Sequence, residues 1–479
     1  MLFNGIDLEP YFRIKDIRGR GLIQRQINGV TVPGMPGEHL SSIEEPVKYL
    51  EIDIRIVNEN LRGTIDELNE IFSTDGPVPI VFPDELDKVY YGTVETSSEN
   101  GEKFHLNRHD TTFVIRRSDP YKYSPEQSYD LLDESTVYNQ GTAEADPIFE
   151  MEVLKPVTFA MIQNQNQEYQ MIGTPADDDV EVVNTKPLIL SERGETLDTW
   201  ATTGLKVDDY FIDNIAGSLR YDGTGILAQS YGTGNEIHGP AAIKELPSSL
   251  QDFEIETVFD TISNFPEDNY RMEIYFFDEG MKMLGKMGIN DNNRNFIRRI
   301  GLGRVGEYAG ANTRYAIGSN RFQRDDLQRV ALMYLRVKRV GNKYTFYITE
   351  IRNGRHASGV TVEETYTDVA GDYLGRLKYV QLFIGNWQDR NRTFRTRINY
   401  INVYELLQET VDQTPYALYP GDLVELNHKD DDILVNGEPR NDLKNFGGSF
   451  FKLKKGGNTI IVTPEDSFKT RVKFRDKFR

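Results

Sequence analysis

Three closing stretches decide the fold: Tyr419-Pro-Gly-Asp-Leu-Val-Glu-Leu426, Ile433-Leu-Val-Asn-Gly437 and Ser449-Phe-Phe-Lys-Leu-Lys-Lys-Gly-Gly-Asn-Thr-Ile-Ile-Val462. They read as three short strands with turns between them, because side chains alternate and Asn436-Gly437 is a strong hairpin signal. Three strands cannot close a sandwich alone, and nothing of matching character lies just before them. Their expected partners sit at 136–174, more than two hundred residues upstream. A β-domain split by a large insertion is therefore expected, and insertions of that size usually carry a function of their own.

Working outward, the chain of 479 residues is too long for one ordinary domain. Its 26 Tyr, 25 Phe and 40 Gly favour many short strands and tight turns over helical bundles. A net charge of −20 argues against a nucleic-acid partner, since phosphate binding needs a basic face. With no cysteine, disulfides, thiolate chemistry and cysteine-based zinc sites are excluded. The start Met1-Leu2-Phe3-Asn4-Gly5-Ile6-Asp7 lacks the charged head and apolar core of a signal peptide. No apolar run approaches the roughly 20 residues of a membrane span, so no membrane insertion is expected.

Residues 1–130 read as a small β-rich domain with one helix. Lys48–Val57 alternates as a strand, and then the period changes: Ile65, Leu68, Ile71 and Phe72 recur at helical spacing. Thr64 and Glu67 fit a capping box, and Asp75-Gly76-Pro77 stops the helix. Val78–Phe82, Tyr90–Val94 and Thr111–Arg116 return to strands, and 119–126 is a Pro-rich connector. Between 191 and 412, Phe253–Phe259, Met272–Phe277, Leu332–Val340, Tyr344–Ile348, Tyr379–Trp387 and Ile398–Tyr404 read as strands with no long amphipathic helix. An antiparallel sandwich complete in itself is expected there.

The phrases Phe3-Asn-Gly-Ile-Asp-Leu8, Leu61-Arg-Gly-Thr-Ile-Asp-Glu-Leu-Asn69 and Val78-Pro-Ile-Val-Phe82 resemble the N-terminal domain of siphophage distal tail proteins. Asn139-Gln-Gly-Thr-Ala-Glu-Ala-Asp-Pro147, with Leu434-Val-Asn-Gly437 and Ser449–Ile460, resembles the two halves of that family's galectin-like domain. The resemblance implies a virion protein at the tail tip, made in the host cytoplasm without a signal peptide. Its N-terminal domain (1–130) would form a hexameric ring joining the tail tube protein to the fibre-bearing tip protein. The galectin-like β-sandwich (131–190 and 413–479) would be split by an inserted jelly-roll sandwich (191–412). In Gram-positive phages some members carry an inserted carbohydrate-binding module, so this insertion implies contact with host cell-wall polysaccharide.

The residues give catalysis little support. Asp278-Glu279 and Asp325-Asp326 are carboxylate pairs of the kind glycosidases use, but acidic loops are common in this chain. His105 and His109 read as surface histidines, Asp177–Asp179 as a solvated loop, and Asp430–Asp432 as a solvated turn with calcium ligation as its alternative. Gly301-Leu-Gly-Arg-Val-Gly306 has dinucleotide spacing without a βαβ setting. No cofactor and no enzyme activity are expected, the alternatives being a wall hydrolase on a phage scaffold or a purely structural tail component. Sugar binding is the better candidate, because sugars offer C–H faces to aromatic rings and hydroxyls to planar polar groups. Trp387, beside Asn386 and Asp389 at a strand end, is the leading candidate. Tyr275, out of phase with Ile274 and Phe276, and Arg271 are added to it, and Arg271, Arg298 and Arg299 are candidates for teichoic phosphate. Gly29–His39 reads as a hairpin or loop reaching towards a neighbouring subunit or the tube.

Overall fold

The computed structural model describes residues 1–22, 25–98, 107–176, 180–293, 295, 297–310, 313–319, 330–388, 395–408 and 413–479. Strands hold 56% of the residues and helix 4%, so the chain is mostly β. Its main parts are an N-terminal sheet, a split sandwich, an inserted sandwich and an exposed hairpin, with a short parallel pair where the insertion meets its host.

The N-terminal sheet is ordered Ile6–Asp7, Leu2–Phe3, Val78–Val81, Val89–Ser98, Arg108–Arg117, Lys48–Val57, Arg13–Arg18. The α-helix Leu61–Phe72 packs on it through buried Leu61 and Leu68, with Phe72 edge-on to Phe3 at 5.3 Å. The helix starts earlier than the expected box at Thr64. Asn60 caps it, its Oδ1 accepting from the Gly63 amide at 3.2 Å, while the Thr64 hydroxyl turns back to the Asn60 carbonyl. Asn60 wins because starting there also buries Leu61.

The closing strands do find their partners upstream. One sheet runs Gln127–Leu131, Phe468–Phe474, Ile148–Val153, Leu423–Asn427, Asp432–Val435, Glu438–Pro439. The facing sheet runs Glu134–Asn139, Gly456–Thr463, Phe159–Asn164, Tyr169–Gly173. Phe149, Ile162, Leu426, Ile460 and Val472, from both sides of the insertion, share one core. Two details differ from expectation. Ser449–Leu453 is not a strand: the Ser449 amide donates to the Tyr169 carbonyl at 2.7 Å, Phe451 packs in the core, and Leu453 forms an isolated bridge with Ala145. Phe468–Phe474 supplies a central strand that the sequence reading omitted, and Lys477–Phe478 then pairs with Lys122–Tyr123 at the N-terminal sheet.

The insertion leaves and re-enters through a parallel pair, Glu181–Val183 beside Gln413–Pro415. Its two sheets hold nine and eight strands and enclose the largest core of the protein, with Phe253, Phe276, Phe346 and Ile384 fully buried. The insertion also docks on its host sandwich. The His356 amide donates to the Gly437 carbonyl at 2.9 Å, and Arg336 grips Glu438 with two bonds of 2.7 and 3.0 Å. Arg355 pairs with Glu425 alongside. Gly437 is required here twice: its φ is +80°, and an added Cβ would stand 2.1 Å from the Gly354 carbonyl oxygen.

Candidate functional site

Trp387 ends the strand Leu377–Trp387, paired to Ile237 in the next strand. Its ring is half-buried and meets Phe211 edge-to-face at 5.9 Å. Phe211 in turn packs on Tyr210 at 4.9 Å, and Tyr210 lies 6.3 Å from Tyr308. Tyr210, Phe211 and Tyr308 are all exposed, so four aromatic rings form a continuous patch on the outside of the insertion's smaller sheet. Phe211 holds φ +60°, a left-handed conformation that a bulky residue adopts only under constraint. Such strain, worth about 1–3 kcal/mol, collects at functional sites.

Beneath the patch lies a closed ionic floor. Lys286 Nζ stands 2.5 Å from Asp209 and 2.6 Å from Glu273, with all three side chains at 0–1% exposure. Arg271 reaches Asp209 at 3.3 Å while its guanidinium lies 5.0 Å from the Tyr210 ring centre. Arg304 bonds the Asp208 carbonyl at 2.9 Å. The segment bearing Asp208–Phe211 is thus strapped over the sheet, and Lys206 is tied to Gln381 by bonds of 3.0 and 2.8 Å. Burial works to raise the Asp209 carboxyl, but the charges of Lys286 and Arg271 outweigh it and hold it below the usual range. The floor positions the rings and leaves its charges neutralised.

Of the five residues singled out in the sequence, only Trp387 reaches the patch as a half-open ring. Tyr275 does face away from Ile274 and Phe276, but the strap covers it completely and its hydroxyl donates to Glu273 at 2.5 Å. Arg271 is 3% exposed and committed to Asp209, so it belongs to the floor and offers no open phosphate site. Arg299 is likewise buried, and Asn386 is buried beside Trp387 in register with Tyr270 and His238. Asp389 lies outside the described residues, as do His105, Asp177–Asp179 and Asp325-Asp326. Asp278 accepts from the Gly280 and Lys282 amides at 2.8 and 2.9 Å, the signature of a hairpin turn. Residues 301–305 lie inside the strand Arg299–Val305, and Asp431 sits in a left-handed turn at φ +58°. Among the described residues no group of three or more metal-ligating side chains comes together.

Sequence reasoning missed Tyr210, Phe211 and Tyr308. A Tyr-Phe pair within the polar run Asp208-Asp209-Tyr210-Phe211 was the available signal, since exposed adjacent aromatics in an acidic loop have no core to fill. The strain gives a prediction. Asparagine tolerates the left-handed region, so Phe211→Asn should stabilise the insertion by about 1 kcal/mol while weakening any ligand stacked on the patch. Calorimetry beside a binding assay reads both signs; a destabilised variant would refute the strain argument.

Residues 5–114 match the phage tail protein RIFT-related domain, and residues 390–478 match the C-terminal domain of siphovirus-type tail components. The chain is 34% identical over 152 residues to the distal tail protein of Bacillus phage SPP1, a match covering 31% of this chain and 59% of that relative's length. The crystal structure of the SPP1 protein, titled a paradigm of hub adsorption apparatus in phages infecting Gram-positive bacteria, is 26% identical. That alignment covers 36% of this chain and 73% of the other, at a TM-score of 0.34. The CBM2 module of an evolved Dit from Lactobacillus casei BL23 phage J-1 aligns over 48% of this chain and all of its own, at 14% identity and TM-score 0.40. The two tail-protein domain matches stand in order at the two ends of the chain. The chain is thus similar at both ends to siphophage tail components, the SPP1 distal tail protein among them, and spans less than two thirds of that relative's length.

Proposed function

We propose that this protein is the hub of a phage tail tip: six copies close a ring through their N-terminal domains, linking tail tube to tip protein, and each inserted sandwich binds host cell-wall saccharide. The observation that carries the binding half is the patch of Tyr210, Phe211, Trp387 and Tyr308, strained at Phe211 and fixed to a neutralised floor. Stacked sugars need flat rings held at a fixed tilt, and burying charges beneath them keeps the strap from yielding.

For the ring half, support comes from the two-stranded hairpin Gln26–Val30 and His39–Glu44, which among the described residues pairs with no other strand. Ile27 is 61% exposed and Leu40 60%, with Val30 and Ile43 also open. An isolated hairpin is marginal in water, and an apolar one is an association surface. A neighbouring N-terminal domain would cover it.

Mass photometry of the full chain should give a species at six times the 55.0 kDa protomer, and replacing Ile27 and Leu40 with Asp should dissolve it. A strictly monomeric wild type at micromolar concentration counts against the hub. Wall sedimentation tests the other half: Trp387→Ala should lower retention by about tenfold, the loss of one aromatic contact centre. No retention of the wild type on any Gram-positive wall removes the adhesion reading.

A further inference from the structure

A second candidate site lies away from the aromatic patch, where the outer face of the insertion's larger sheet looks across at the split sandwich. The two bodies enclose a cleft of about 1090 Å³. That is the size of a generous small-ligand pocket, and domain junctions are where such pockets concentrate. One wall is built by the strands Phe253–Ile262, Val330–Val340 and Arg395–Glu405, the other by residues around Tyr416–Asp422 and Asn436–Arg440.

The chemistry of these walls is specific. Glu256 accepts from Tyr334 Oη at 2.8 Å, Tyr404 Oη at 3.0 Å and Asn402 Nδ2 at 2.9 Å. A carboxylate has about four acceptor sites, so one remains for an incoming hydroxyl. Tyr400 and Tyr404 show half-buried rings on that wall, and Tyr416 and Tyr419 stand on the opposite one, 6.4 Å apart. Charge is balanced: Lys186, Arg193, Arg336, Lys338 and Arg440 line the cleft with five carboxylates, in a chain whose net charge is −20. Among the described residues the cations and carboxylates of the cleft are equal in number, so no surplus cation is present to attract phosphate. Rings on two walls, planar amides and a pre-bonded carboxylate suit a neutral polyhydroxylated ligand.

We propose that the cleft between the inserted and split sandwiches is a second saccharide site, taking an uncharged stretch of glycan and gripping it from both domains at once. The assignment rests on the host-binding reading for its class of ligand, and on the cleft alone for its place. Because both walls contribute, occupancy would hold the insertion in one orientation relative to its scaffold. The Arg336–Glu438 pair and the His356–Gly437 bond set the width of the cleft.

The test uses the full chain on an array of neutral and phosphate-bearing bacterial saccharides, followed by hydrogen exchange with the strongest hit. The expected hit is a neutral glycan that protects both the Phe211–Trp387 region and the segments Arg395–Glu405 and Tyr416–Asp422. Tyr400→Ala should then weaken binding by about tenfold while leaving protection around Trp387 intact. Gly437→Ala, which displaces the opposite wall, should do the same without touching the ring that stacks. Protection confined to the Trp387 patch overturns the cleft and leaves the adhesion reading standing. Protection of the cleft alone does the reverse, and hits limited to phosphate-bearing saccharides, or no hit at all, overturn the proposal.

Discussion

Replacing Lys286 with methionine should destabilise the inserted sandwich by about 3–5 kcal/mol, the usual result of removing one partner from a buried ion group. Lys286 Nζ sits 2.5 Å from Asp209 and 2.6 Å from Glu273 at 0% side-chain exposure. Without it, two carboxylates face each other in a dry space with Arg271 as their nearest remaining cation, 3.3 Å from Asp209 and 3.8 Å from Glu273. Desolvation then outweighs attraction, and the strap that Asp209 anchors should lift. Binding to walls should fall with stability, because Tyr210 and Phe211 ride directly behind Asp209 in the chain. Adding Asp209→Asn to Lys286→Met should recover part of the loss by removing one uncompensated charge. Calorimetric melting of the three proteins decides the matter: a single-variant loss below about 1 kcal/mol would mean water reaches the floor.

The second large effect is a pair of opposed pH dependences. His428 packs in the split sandwich among Phe149, Phe450 and Phe451, and burial pulls its imidazole down to about 4 from 6.5. The unfolded chain therefore binds the proton more readily between those values. Stability from this group is complete above pH 6.5 and falls as pH drops towards 4, by about 3 kcal/mol in all. Asp291 in the insertion behaves oppositely. Burial pushes its carboxyl up to about 7 from 3.8, against the pull of bonds from the Asn293 and Arg298 amides. Its folded form holds the proton longer, so stability is complete below pH 3.8 and is lost as pH rises through 7, by about 4 kcal/mol. Melting at pH 5 and pH 8 should thus shift the two sandwiches in opposite directions. His428→Gln should flatten the acid side and Asp291→Asn the alkaline side; unchanged slopes in both variants would refute the assignment.

Much of the architecture was legible in the residues. Alternation in Leu423–Leu426 and the turn Asn436-Gly437 pointed to strands without local partners, and Phe149 and Ile162 supplied the missing face across the insertion. Those signals survive in sequence because a half-buried strand must alternate whatever lies above it. The helix was legible for the same reason, whereas its first turn was not: Asn60 and Thr64 both cap well, and the choice fell to the burial of Leu61. The strand Phe468–Phe474 also alternates, and its place at the centre of a sheet follows from pairing with Gln127–Leu131, far away in the chain.

The candidate site was legible only in part. Trp387 announced itself by its position at a strand end, and Tyr275 by its phase. Phase tells which side of a sheet a residue takes, but not what covers that side. The strap carrying Asp209 covers Tyr275 and Arg271, then carries Tyr210 and Phe211 up to meet Trp387 from more than 170 positions away. By itself the sequence determined a mostly-β chain, a domain broken in two and the family its ends resemble, since periodicity and short phrases are local properties. Only the tertiary structure decided which aromatics stand open, which charges are neutralised and how the insertion rests on its host, because covering, pairing and docking depend on segments distant in the chain.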